Sequence, residues 1–138
     1  MIFELELIIR MIMSFILSMI IGLEREISLK PAGLRTHVLV CMGSALFTIL
    51  SLYAFPGADP SRLAASIAVG IGFIGAGTIL KTKEEKIVGL TTAATLWIVA
   101  SIGVAVGTGF YLLASTVAIF TYIILKFGKL EKEVVLKK

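Results

Sequence analysis

Long apolar runs alternate with short polar stretches along this chain. A membrane-crossing helix needs roughly 17–25 mainly apolar residues, and five runs fall near the short end of that range. Lipid cannot satisfy backbone N–H and C=O groups, and the runs lack the two-residue alternation of barrel strands, so they must be helical. We predict an all-α polytopic membrane bundle of five short transmembrane helices at Leu5–Leu23, Val38–Phe55, Leu63–Leu80, Leu90–Val106 and Phe110–Phe127.

The connections between these runs carry recognisable turn residues. The segment 31–33 (Pro-Ala-Gly) ends the first helix, because the residue before a proline avoids the helical region. Asp59 is predicted as the N-cap of the third helix, with Pro60 at its first helical position. A polar loop is expected at 81–86 and a tight turn at 107–109.

Composition supports one membrane domain. The chain has 138 residues, of which 58% are hydrophobic and 16% charged, whereas soluble domains are about half apolar and a quarter charged. We assign 1–128 to a transmembrane domain and 129–138 to a basic cytoplasmic tail. The acidic N-terminus lacks a small-x-small cleavage site, so the first helix is expected to remain in the mature protein. A single cysteine, Cys41, excludes an intrachain disulfide.

The basic residues predict the orientation. With five spans, only Arg10 and Arg62 lie on one side, and the side richer in lysine and arginine is cytoplasmic. The N-terminus is therefore predicted outside and the C-terminus in the cytoplasm, and the net charge of +4 gives no reason to expect nucleic acid as a partner. The other eleven basic residues are Arg25, Lys30, Arg35, Lys81, Lys83, Lys86, Lys126, Lys129, Lys132, Lys137 and Lys138.

Small residues recur every four positions and predict close helix packing. Such residues let helix backbones approach in lipid, inside one bundle or in a homo-oligomer, although they are also simply common in membrane helices. The third helix also carries Gly70, Gly72, Gly75 and Gly77, so it can be bent or re-entrant. The spacings are Ala64, Ala68, Gly72 and Ala76; Gly103 and Gly107; and Arg10, Ser14, Ser18, Gly22 and Glu26.

Charged residues gather at two places. Glu24 and Glu26 close the first span but point about 200° apart, so they form no carboxylate pair. They either end the helix, with Glu26 paired to Lys30, or face Arg35, a cytoplasmic partner or an ion. At the outer side, Asp59 is either a helix cap or one half of a buried pair with Arg62.

The sequence does not support an enzymatic function. The run 70–75 matches GxGxxG by letter, but it lies inside an apolar span without the strand and acidic residue of a dinucleotide fold. His37 stands alone, no nucleophile triad or P-loop occurs, and we expect no cofactor. No acidic residue lies in the middle of a span, which counts against a conventional cation-coupled transporter. Arg10 lies near the outer end, where it can snorkel or pair with Glu6.

Several ordered motifs together resemble the MgtC/SapB family over nearly the whole chain. They are Gly22-Leu-Glu24-Arg25-Glu26, Pro31-Ala-Gly-Leu-Arg35-Thr-His37, Asp59-Pro60-x-Arg62-x-x-Ala65, Gly70-Ile-Gly-Phe-Ile-Gly-Ala-Gly77 and Gly89-Leu-Thr-Thr-Ala-Ala-Thr95-Leu-Trp97.

The resemblance implies a bacterial inner-membrane protein from a family associated with magnesium limitation and with virulence, some of whose members inhibit the membrane ATP synthase. Thr91 and Ile98 depart from the asparagine and cysteine of some virulence-associated members. The soluble C-terminal domain of many members is not expected here. The family's recurring charged and polar positions carry over to Glu24, Arg25, Glu26, Arg35, Asp59, Arg62, Thr91 and Trp97. Because the resemblance spans both Asp59 and Arg62, whereas capping needs only Asp59, we favour the buried pair.

The resulting hypothesis is a small membrane regulator of magnesium homeostasis that acts through helix contacts with other membrane proteins. The alternative is a channel or transporter for Mg²⁺ or another cation, with its path along the glycine-rich third helix. We have no prediction for a metal site.

Overall fold

A computed structural model describes residues 1–81 and 85–135 of the protein, with side chains up to residue 128. The described residues form five helices, as predicted, and one pair of very short strands. Four of the helices are long and apolar enough to cross a membrane, whereas α3 is shorter. The elements are α1 (Ile2–Ile27), α2 (Leu34–Tyr53), α3 (Ser61–Ala76), β1 (Leu80–Lys81), β2 (Ile87–Val88), α4 (Leu90–Gly107) and α5 (Tyr111–Val135).

Helix α4 lies at the centre and packs against each of the other four helices. Its closest approach is to α2, at the predicted glycine pair. A Cβ atom on Gly103 would lie 2.3 Å from the carbonyl oxygen of Cys41, and one on Gly107 would lie 2.7 Å from Cβ of Thr48. Both glycines therefore lie where the backbones of α2 and α4 approach closely.

The third helix differs from its prediction at its C-terminal end. It continues through Gly70, Gly72 and Gly75 but ends at Ala76, not at Leu80. At a rise of 1.5 Å per residue its 16 residues cover about 24 Å, less than the hydrocarbon core of about 30 Å. The last residue of the apolar run, Leu80, is not helical. It pairs with Val88 in the antiparallel β1–β2 hairpin.

The hairpin leads into α4 through one special glycine. Gly89, the N-cap of α4, has a φ of +95°, which side chains rarely tolerate. A Cβ atom there would also lie 1.8 Å from the carbonyl oxygen of Thr78. Of the predicted loop 81–86, Thr82, Lys83 and Glu84 lie outside the described residues.

The packing face of α3 is rotated by one residue from the predicted one. Its buried residues are Ile71 and Gly75, and a Cβ on Gly75 would rest 3.5 Å from Cβ of Ala93 on α4. Gly72 is exposed, with no atom within 4 Å of a Cβ built there. The predicted series Ala64, Ala68, Gly72 and Ala76 is therefore not the buried face of α3: Ala68 and Ala76 are exposed and Ala64 is half-buried.

The start of α3 is also shifted by one residue. Pro60 is the N-cap and Ser61 the first helical residue, so Asp59 lies just outside the helix. Asp59 still performs a cap-like role, since its Oδ1 accepts from the backbone N–H of Ser61 at 2.9 Å and its Oδ2 from the Ser61 hydroxyl at 2.9 Å.

On α1 the predicted four-residue series is buried from Arg10 to Gly22, while Glu26 is exposed. Helix α5 begins after the predicted turn at 107–109 and continues to Val135, through most of the segment assigned to the tail. Residues 136–138 of that tail lie outside the described part.

Candidate functional site

A buried ion pair closes α1. Glu24 and Arg25 are each only 3% exposed, and Nε and Nη2 of Arg25 both contact Oε2 of Glu24. The hydroxyl of Ser28 donates to Oε1 of the same carboxylate at 2.6 Å. Buried charges cost several kcal/mol unless they are paired and hydrogen-bonded, and these bonds supply that compensation for the two residues the sequence singled out.

The neighbouring carboxylate, Glu26, joins α1 to the start of α2. Its Oε2 accepts from the backbone N–H of Leu34 at 2.9 Å, one of the first N–H groups of α2, which have no partner within their own helix. A Cβ on Gly33 would lie 1.7 Å from that oxygen, so a side chain at position 33 would displace the carboxylate from this place. The geometry of Glu26 thus fixes the corner between two helices.

His37 lies beneath this corner and is fully buried. Its Nδ1 lies 2.8 Å from the carbonyl oxygen of Gly33, and because that oxygen only accepts, Nδ1 carries the proton. Nε2 has no hydrogen-bond partner among the described residues. Gly22 lets α1 and α2 meet beside His37, since a Cβ on Gly22 would lie 2.9 Å from Cα of Leu34 and 3.2 Å from Cβ of His37. Sequence reasoning noted His37 only as a solitary histidine.

A cavity of about 850 Å³ lies beside the ion pair, between the end of α1, β2, the start of α4 and α5. We call it the α1–α4–α5 cavity. It brings Arg25 together with Thr91, two positions from separate sequence motifs. Its other polar side chains are Ser28, Lys30 and Thr92, and its apolar wall includes Ile27, Ile87, Ile124 and Leu125.

Two further cavities border α3. An apolar groove of about 500 Å³ between α2 and α3 is lined mainly by aliphatic residues and Phe47, with Gly43 and Gly70 at its floor. On the other side of α3, a cavity of about 180 Å³ is shared by Ala64, Ala68 and Trp97. Trp97 is 50% exposed on α4 and lines this small cavity, not the cavity beside the ion pair.

The remaining predicted charged positions are exposed. Arg35 lies on the first turn of α2, and Asp59 and Arg62 lie at the far end of that helix, near the start of α3. The predicted buried pair of Asp59 and Arg62 is therefore wrong. The two hydrogen bonds from Ser61 hold the pKa of Asp59 below its usual value, with Arg62 contributing less.

Arg10 is a charged residue buried at that far end, at 6% exposure. Its Nη1 donates to the carbonyl oxygen of Gly107 at 2.6 Å, and its Nη2 to Oε1 of Glu6 at 2.7 Å. The predicted pairing with Glu6 is confirmed. The bond to α4 could not be read from the sequence, and neither could the ring of Tyr53, whose centroid lies 5.7 Å from the guanidinium carbon.

Among the described residues, no group of three or more histidine, cysteine, aspartate or glutamate side chains is arranged to hold a metal ion. The two acidic residues at the end of α1, Glu24 and Glu26, are engaged by Arg25 and by the start of α2 respectively. The chemistry available at this end of the bundle is therefore mostly hydrogen-bond donation.

Comparisons with known proteins agree with the sequence motifs. The model of the MgtC family matches residues 11–133. The chain is 49% identical over 129 residues to the putative magnesium transporter YhiD of Escherichia coli K12, covering 88% of this chain and 60% of that protein. It is 40% identical over 130 residues to protein SapB of Bacillus subtilis, covering 88% and 56% respectively.

Protein MgtC of Brucella abortus strain 2308 is 43% identical over 107 residues, covering 78% of this chain and 44% of that protein. The chain thus spans about 60% or less of the length of these three relatives. No solved structure matches it.

Proposed function

Because the chain belongs to the MgtC family, we propose that it is an inner-membrane regulator of magnesium homeostasis that acts by helix contacts with other membrane proteins. The observation that carries this proposal is the uncovered side of α3. The membrane ATP synthase is one candidate partner, from the resemblance to family members that inhibit it.

The uncovered side, which we call the α3 face, comprises Val69, Gly72 and Phe73. Val69 is 67% exposed and Phe73 79% exposed. A Cβ built on Gly72 meets no atom within 4 Å. The α3 face therefore presents bare backbone beside two large apolar side chains. Gly70 lies about 160° away from Gly72 around the helix, where it lines the 500 Å³ groove instead.

This arrangement favours a helix as the occupant. Apolar side chains gain little from leaving lipid for another apolar surface, so helix association depends on close packing of backbones at small residues. The chain itself demonstrates the principle at Gly103 and Gly107, where α2 lies against the bare backbone of α4. The α3 face offers the same feature, and its partner would come from another polypeptide.

Complementation of a strain that needs this protein at low magnesium tests the proposal. Gly72→Leu fills the bare backbone without an intrachain clash, so we expect normal expression and melting temperature but lost growth. Ala94→Leu, on an exposed position of α4, adds a comparable side chain elsewhere and should complement fully. Growth of Gly72→Leu equal to that of wild type would refute a docking role for the α3 face.

A second candidate function rests on the early end of α3. A helix of about 24 Å cannot cross the hydrocarbon layer, and transporters bind ions where such short helices expose their end groups. The relative from Escherichia coli is named a putative magnesium transporter. Flux of Mg²⁺ into liposomes holding the purified protein separates the candidates: flux above that of empty liposomes supports transport, and its absence supports the regulator.

We also propose that the N-terminus lies outside and the C-terminus in the cytoplasm, on the basis of the basic residues. Single cysteines at Gly57 and Lys86, in a Cys41→Ala background, test this in intact cells with a membrane-impermeant reagent. Only the cysteine at position 57 should react. Labelling of the cysteine at position 86 instead would show that the orientation is the reverse of the one proposed.

A further inference from the structure

The α1–α4–α5 cavity has hydrogen-bond donors at one side and an apolar wall at the other. The donors come from Arg25, Lys30 and Thr91, whereas the wall is formed by aliphatic residues of α1, β2 and α5. An amphipathic ligand with an acceptor-rich head and a hydrocarbon part fits this division. Its volume of about 850 Å³ far exceeds that of a single inorganic anion.

The guanidinium of Arg25 retains donor capacity beyond its bonds to Glu24. It uses Nε and Nη2 for that carboxylate, and its Nη1 donates to no acceptor among the described residues. The charge of Glu24 is opposed by Arg25 itself. Lys30, from the loop after α1, adds a second positive charge to the lining.

The start of α4 supplies donors of another kind. Its N-cap is Gly89, which has no side chain to cap the helix. The first backbone hydrogen bond of the helix is that from Ala93 to Gly89. The N–H groups of residues 90–92 thus have no acceptor within the described part of the chain, and such groups attract anions. Leu90, Thr91 and Thr92 all line the cavity.

We propose that this cavity binds the phosphate head group of an anionic phospholipid, with an acyl chain along Ile124 and Leu125. Basic pockets between membrane helices at the cytoplasmic side are recognised sites for such head groups. The apolar wall selects a lipid over free phosphate, because only a lipid covers both parts of the lining. This site lies apart from the α3 face and goes beyond the proposed function.

Native mass spectrometry of the protein in an uncharged detergent tests the assignment. Phosphatidylglycerol is compared with phosphatidylcholine of the same acyl chains, and melting temperatures are measured with each lipid and with inorganic phosphate. Phosphatidylglycerol should bind at defined stoichiometry and raise the melting temperature. Phosphatidylcholine and inorganic phosphate should do neither.

Variants place the lipid in the cavity. Lys30→Gln should weaken phosphatidylglycerol binding about fivefold, the value of one basic residue near an anionic lipid. Thr91→Val keeps the shape of the side chain but removes the hydroxyl, so it should also weaken phosphatidylglycerol binding. The matched control is Lys126→Gln: Lys126 is exposed on α5, on the opposite face from Ile124 and Gly128, and should leave binding unchanged.

Three results would overturn the proposal. Equal binding of phosphatidylcholine would show that no anionic group is recognised. Stabilisation by inorganic phosphate alone would make the ligand a free anion. An equal loss in Lys126→Gln and Lys30→Gln would show diffuse attraction to the basic end of the bundle rather than a site.

Discussion

The contact between α2 and α4 can be tested with one methyl group. Gly103→Ala would place a Cβ 2.3 Å from the carbonyl oxygen of Cys41 and 2.8 Å from Cβ of Ser44. Ordinary carbon–oxygen contacts are about 3.3 Å or longer, so α2 would have to move away by about 1 Å. The obstructing oxygen belongs to the backbone of α2 and cannot rotate aside, as a flexible side chain could.

Two opposing effects set the size of the change. Replacing glycine by alanine inside a helix stabilises it by up to about 1 kcal/mol. Overpacking a buried contact costs about 1–3 kcal/mol, and more where backbone must move. Because Gly103 is buried at the largest helix contact, we expect a net loss of about 1–3 kcal/mol in the free energy of unfolding.

Thermal unfolding in detergent, followed by circular dichroism, measures this loss as a melting temperature lowered by several degrees. Gly72→Ala is the matched control, since it makes the same chemical change where no atom lies within 4 Å. It should be neutral or slightly stabilising. If Gly103→Ala melted at or above the temperature of wild type, the close α2–α4 packing would be wrong.

Three other substitutions test the two ends of the bundle by the same melting experiment. Arg10→Gln should lower the free energy of unfolding by about 1.5–3 kcal/mol, the value of a charged hydrogen bond, because the carbonyl of Gly107 loses its partner. An unchanged melting temperature would show that Arg10 is in solvent. Gly33→Ala should lower the free energy of unfolding by about 0.5–2 kcal/mol, the value of a helix cap, because the new Cβ displaces the Glu26 carboxylate from the start of α2. Glu26→Gln should have a smaller effect. Asp59→Asn should leave the melting temperature nearly unchanged at neutral pH. Because the folded-state pKa of Asp59 is lowered, the small extra stability of wild type should be lost only as the pH falls from the unfolded-state pKa through the lowered folded-state pKa.

The number and order of the helices followed from the sequence because lipid leaves the backbone little choice. Apolar run length therefore predicted α1, α2, α4 and α5 directly. The same criterion failed at the end of α3, because Leu80 is apolar in a strand as much as in a helix. Hydropathy does not distinguish these conformations, and the pairing with Val88 is set by a contact across the hairpin.

The candidate site was predictable only in part. The motif letters selected Glu24 and Arg25, but their burial as a pair depends on how α1 meets its neighbours. The expected pairing of Asp59 and Arg62 failed because Ser61, between them in sequence, supplies both hydrogen bonds to the carboxylate. The roles of His37 and the carbonyl of Gly107 required coordinates, since both contacts join backbone to side chain.

The glycines show most clearly where sequence reasoning ends. Gly103 and Gly107 form the same small-residue spacing as the series that includes Gly72, and both sets permit close approach of a helix. At the two glycines of α4 this close approach occurs, since α2 fills the space against the backbone. In α3 the buried face turned out to be one residue away, at Ile71 and Gly75. The spacing therefore predicts only that a helix can approach. The packed structure shows that α2 fills the space at Gly103 and Gly107, and that no described residue of this chain fills the space at Gly72.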